Sequence, residues 1–140
     1  MKVSIENIKY HLEWRQSNIP GPVLSDGVLY LLNKGLMYIH GRCMDQSPIV
    51  ILNLKKLSDH LKLKKINPHL FCQLHHFIAN YIKLNMLVPG QVEKWITITD
   101  IAQFSLSDLP VNMFKECNVE ITSNYIDNSS KIVVVNLTTM

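Results

Sequence analysis

Cys72, His75 and His76 stand at i, i+3 and i+4, which on a helix is one face. A thiolate and two imidazoles in that spacing could begin a metal site. No fourth ligand follows at a convincing spacing, and Cys72 adjoins an apolar stripe, so the three read as a helix margin with no metal. Asp100 closes the run WITITDI, at the C-terminal end of a strand, where catalytic acids sit in α/β folds. Ser105 and Ser107 follow it, but nothing like the GxSxG nucleophile turn does. A carboxylate in that place also accepts backbone N–H bonds, and Asp100 is expected to hold the strand-to-loop turn. Neither GxGxxG nor GxxxxGK occurs, and there are only five glycines. A nucleotide crevice of the usual kind is therefore excluded. No catalytic residue and no cofactor is expected.

The charges are unevenly placed. Lys55, Lys56, Lys62, Lys64 and Lys65 fall within one short stretch opposed by Asp59 alone, while the whole chain carries a net charge of +3. Such a patch suits an anionic membrane surface, or is simply a solvated face. No aromatic platform or recognition motif is interleaved with it, so nucleic acid is not expected. The 140 residues, 47 % apolar and 18 % charged, suit one folded domain with its own core. Cys43, Cys72 and Cys117 show no framework spacing and read as reduced core residues of a cytoplasmic protein. The N-terminus is too polar for a signal peptide, and no apolar run is long enough to span a membrane.

The elements that must position these residues follow from periodicity. Residues 3–16 read as a helix with Ile5, Ile8 and Leu12 on one stripe and Trp14 beside it. Val28 to Leu32 is a second short helix, with Gly35 as its left-handed cap. Met37 to His40 and Pro48 to Leu54 read as an antiparallel strand pair. Asn67-Pro68 starts a long helix whose stripe is Leu70, Phe71, Leu74, Phe77, Ile78, Tyr81 and Ile82. Trp95 to Ile101 is a strand on which Ile96 and Ile98 point one way and Trp95, Thr97 and Thr99 the other. The two threonines would either bond locally or line a cavity. Ser107 or Asp108 is expected to cap a helix running to about Tyr125, with Met113, Cys117 and Ile121 on one face. Ile132 to Asn136 is apolar enough to predict a strand buried on both faces. Helical crossovers of this length join parallel strands. An apolar helix, a strand with small polar groups and an apolar strand could enclose an apolar ligand.

YIHG, PIVILNLKKL, PGQVEKWITITDI with SLSDLP, and KIVVVN, in that order and spacing, resemble the CRAL-TRIO lipid-binding domain from about Met37 to Asn136. HLEWR, His11 to Arg15, is similar to the last helix of the region preceding that domain. The resemblance implies an α/β, three-layer domain with a mainly parallel sheet and an antiparallel first hairpin, preceded by short N-terminal helices. It divides the chain into 1–35, the end of a helical region, and 36–140, a partial lipid-binding domain. It implies non-catalytic binding, and transfer between membranes, of a hydrophobic ligand such as a phospholipid or phosphoinositide. The expected pocket residues are Phe77, Ile96, Thr97, Ile98, Met113 and Val134. Asp127 would take the position of a headgroup-contacting Glu, in a segment that lacks the flanking Pro and Arg. The lysine cluster would face the membrane, making the protein cytoplasmic and peripheral. In the family a further strand and a gate helix follow KIVVVN, so the domain is expected to be incomplete at its C-terminus. The alternative is an interaction module that has lost its cavity and docks on another chain or on a second copy through an exposed apolar floor or the Phe71 to Ile82 helix.

Overall fold

The computed structural model describes residues 2–18, 24–125 and 128–137. Helix α1 spans Lys2–Asn18 and α2 spans Asp26–Asn33. Ser25 caps α2 by accepting the Val28 N–H, and Gly35 ends it at φ +61°, a conformation that costs glycine little. Strands β1 (Met37–Arg42) and β2 (Pro48–Asn53) form the expected antiparallel hairpin. Helices α3 (Leu54–Lys62) and α4 (Pro68–Asn85) lead to β3 (Trp95–Asp100). Helix α5 (Val111–Asn124) leads to β4 (Ser129–Val135). The sheet order is β1-β2-β3-β4, with β2, β3 and β4 parallel. The architecture is thus α/β with one antiparallel hairpin on a parallel sheet.

Strand order and handedness decide what covers the sheet. Both crossovers, β2 to β3 and β3 to β4, step in the same direction. Right-handed crossovers that do not reverse direction place their helices on one side. The helices meet accordingly. Cys72 of α4 is disulfide-bonded to Cys117 of α5, and Phe71 packs edge-on against Phe114 at 5.8 Å. The core lies between these helices and the near face of the sheet. Leu31, Leu36, Leu57, Leu74 and Ile82 are fully buried there, with Val50 and Met37 beneath them. Each such side chain contributes about 1.5–3 kcal/mol.

Several expectations are corrected. Strand β4 is the sheet's edge and is not buried; Ile132 is 72 % exposed, and Val133 and Val134 are exposed with it. An apolar run says that a strand is fit for burial, and no described element lies beyond β4 to bury it. Ile5, Ile8 and Leu12 are exposed, so α1 is not anchored by its apolar stripe. Trp14 anchors it instead, edge-on to the His76 ring at 4.8 Å and to the Tyr125 ring at 6.1 Å. His11 adds a hydrogen bond from Nδ1 to Asn124 at 3.0 Å. Helix α5 starts at Val111 after Pro110 with no side-chain cap, and Leu106–Asp108 is a separate 3-10 turn.

The cysteines are corrected too. Only Cys43 is free, because the stripes of α4 and α5 bring Cys72 and Cys117 within 5.5 Å at Cα. The bridge joins residues 45 positions apart. Closing a loop of that length removes about 4 kcal/mol of unfolded-chain entropy in the simplest chain model, and measured values run about 2–4 kcal/mol. Cys117→Ser is therefore expected to lower stability by about 2–4 kcal/mol in a urea titration. Reductant should shift the wild-type midpoint by a similar amount and leave the variant where it is. A wild-type midpoint indifferent to reductant would show the two thiols unlinked.

Candidate ligand-binding site

The strand registers sort the sheet's side chains into two faces. Val50 lies beside Thr97, and Leu52 beside Thr99 and Met37. Together with Trp95 these make the covered face, where Val50, Leu52 and Trp95 are buried. Ile49 lies beside Ile96, and Ile51 beside Ile98, which adjoins Val133. The second set forms the opposite face. Its four isoleucines are part-exposed, and Tyr38 and Val133 at its margins are exposed. Alternation along β2 is strict, buried then part-exposed over six residues, as expected of a sheet covered on one side only.

Asp100 stands at the C-terminal end of the open face, next to Asn53 in the register. Its Oδ1 accepts the Ala102 N–H at 2.9 Å and the Asn136 Nδ2–H at 2.7 Å. Asn53 Nδ2 donates more weakly to Oδ2 at 3.4 Å. Asn136 reaches back because it turns at φ +60°, a left-handed conformation that Asn tolerates better than most residues. The Asn136 bond first, and the Ala102 N–H second, hold the Asp100 carboxyl below the usual carboxylate range. The carboxylate is thus the strand-to-loop fastener that its position predicts.

The six expected pocket residues do not share a face. Ile96 and Ile98 lie on the open face. Thr97 and Val134 point to the helix side by register, where Met113 is buried and Phe77 is half-buried against the core. Asp127 lies outside the described residues. A cleft of about 350 Å³ opens elsewhere, at the N-terminal ends of β3 and β4, walled by Lys83, Leu87, Pro89, Val92, Lys94 and Asn128. None of the six lines it.

The lysine cluster is partly spent inside the fold. Lys55 pairs with Asp59 and Lys62 with Asp108, both at 2.6 Å. Lys56 Nζ donates to the carbonyls of Lys34 and Gly35, capping the end of α2. Lys64 and Lys65 stay exposed in the turn after α3. Helix α3 itself escaped the sequence reading. Its signal was present in Leu54, Leu57 and Leu61, with Asn53 as cap accepting the Lys56 N–H at 2.9 Å.

The two histidines differ from expectation. His76 is 2 % exposed, not at the margin, and donates from Nε2 to Glu120 at 2.9 Å. It stands one turn from Cys72, so the bridge and this bond tie α4 and α5 at successive turns. His75 is half-buried at the surface, and burial, with His76 beside it, lowers its pKa to about 4. No group of three or more His, Cys, Asp or Glu among the described residues could hold a metal.

The fold and this open face define a class, an α/β domain that presents an apolar sheet face. A family model described as the CRAL/TRIO domain matches residues 32–140, and the chain belongs to that family. The family binds lipophilic ligands. No curated protein matches the chain. No helix among the described residues is long and apolar enough to cross a membrane.

The lowered His75 pKa fixes a pH dependence. Below the ordinary value of 6.5 the unfolded chain takes up a proton that the folded chain refuses until about pH 4. Stability from this group is complete above pH 6.5 and is lost as pH falls through that window. His75→Gln should flatten the stability profile between those values, read by urea midpoints at half-unit pH steps. An unchanged slope would show His75 to be freely solvated in the fold.

Proposed function

We propose that the chain binds a hydrophobic ligand, such as a phospholipid or phosphoinositide, on the open sheet face and carries it between membranes without catalysis. The observation that carries this is the row of Ile49, Ile51, Ile96 and Ile98, part-exposed at the centre of the sheet. Apolar side chains in the middle of a sheet face mark a surface meant to be covered. Burying acyl carbon there contributes roughly 0.8 kcal/mol per CH₂. Ile96 and Ile98 are the two expected pocket residues that this reading keeps as direct contacts. Thr97, Val134, Phe77 and Met113 support the sheet from the helix side. Residues 1–35 act as an accessory helical unit and 36–140 as the binding domain. Lys64 and Lys65, which have no ion pair among the described residues, supply the attraction to anionic bilayers, worth about 1 kcal/mol each near the surface.

Uptake of a fluorescent phospholipid from anionic vesicles tests the reading. Ile98→Asp places a charge on the open face and is expected to cut uptake at least ~10-fold. Its urea midpoint should change little, because the side chain is already part-exposed. Wild-type protein that is monodisperse and acquires no lipid would end the proposal.

A second reading, self-association, is favoured by β4. That edge exposes Ile132, Val133 and Val134, and its outer N–H and C=O groups have no described partner strand. Light scattering over a concentration series separates the two. Dimers abolished by Ile132→Lys would support this second reading, and a monomer at all concentrations would remove it.

A further inference from the structure

Among the described residues Asp100 forms no ion pair, although it sits at one end of an apolar face. Its neutral donors are already in place. Asn136 and the Ala102 N–H occupy Oδ1, and Asn53 approaches Oδ2. The group therefore lacks a countercharge more than it lacks a hydrogen bond. The surrounding bonds favour the ionised form, so the negative charge persists at neutral pH. The amide oxygen of Asn53 is used too, accepting the Lys56 N–H as the cap of α3. The lysine that the strand register places on this face is Lys131, which pairs with Ile96 at the other end of β3. Four residues at about 3.3 Å each put it roughly 13 Å from Asp100, beyond direct pairing.

We propose that the open sheet face selects an amphiphile whose head carries an ammonium group, with the chain lying over Ile51 and Ile98 and the head against Asp100. The proposal rests on the ligand-face reading above and, of the ligands named there, selects an ammonium-headed phospholipid over a phosphoinositide. A carboxylate beside apolar surface attracts a cation and repels a second anion. An ammonium brings a full countercharge to the carboxylate that an alcohol of the same length lacks, which separates the two. A head presenting only phosphate or carboxylate toward Asp100 meets like charge. Ligands at the C-terminal ends of parallel strands are the general pattern for open α/β sheets, and Asp100 stands there.

The test displaces a surface-sensitive fluorescent probe with dodecylamine, dodecanol and dodecanoate at pH 7, below their micelle thresholds. The amine is expected to bind roughly 10-fold more tightly than dodecanoate and a few-fold more tightly than dodecanol. Asp100→Asn should erase the amine's advantage and leave dodecanol within about twofold. Asn136→Lys, which places a cation beside Asp100 within the chain, should do the same and guards against a folding defect in the first variant. Circular dichroism checks both. Asp45→Asn, at an exposed carboxylate on the β1–β2 turn, should preserve the order. Equal binding of all three ligands, or an amine preference that survives both variants, overturns the proposal and leaves the ligand face standing. Failure of all three to bind the wild-type protein overturns the ligand face itself.

Discussion

Two right-handed crossovers that travel the same way across a sheet must lie on the same side of it. That constraint shapes everything else here. It stacks α4 and α5 on one face, close enough for Cys72 and Cys117 to bond and for His76 to reach Glu120. It leaves the other face with no described helix over it. Four isoleucines on adjacent strands then form an apolar floor that no described helix crosses. The helices support this floor from the other side of the sheet.

The helix side is held by more than apolar packing. Trp14, His76, Tyr125 and Trp95 form a chain of ring contacts between 4.8 and 6.5 Å, linking α1, α4, the end of α5 and the start of β3. Burial within this cluster raises the Tyr125 pKa to about 12, so its hydroxyl stays protonated, near the His76 carbonyl at 3.4 Å. Helix α5 is held by Phe114 against Phe71, by the Glu120 bond to His76 and by the disulfide. Its buried stripe is Met113, Cys117 and Asn124, and its start has no side-chain cap. The disulfide thus adds a covalent tie between α4 and α5 beside these contacts.

Much of this was legible in the residues. The hairpin, the Asn67-Pro68 helix start, the strand ending at Asp100 and the turn-holding role of Asp100 follow from local chemistry that tertiary packing did not overrule. The split of Ile96 and Ile98 from Thr97 also followed, because a period of two is fixed by the pleat. Three things were not legible, each for a physical reason. A strand's composition reports its fitness for burial and not its place in the sheet order, so β4 read as central and stands at the edge. Helix stripes show which residues face inward but not which helices face each other, so the Cys72–Cys117 bond was invisible and both thiols read as reduced. Polar residues on a helix can be buried once another helix supplies a partner, as Glu120 does for His76. The lysine cluster looked like one surface because its carboxylate partner Asp108 lies 46 residues from Lys62.

The central claim is that ligand carbon lies on the face of Ile49, Ile51, Ile96 and Ile98, and not among the helices. Isoleucine δ1-methyl NMR of the protein with a deuterated-head, protonated-chain phospholipid reads this directly. The account predicts intermolecular nuclear Overhauser effects from the acyl chain to the methyls of those four residues and none to Ile78 or Ile82, which are buried on the core side of α4. Cross-peaks to Ile78 and Ile82, with the four sheet methyls silent, would place the ligand inside the helical layer and contradict it.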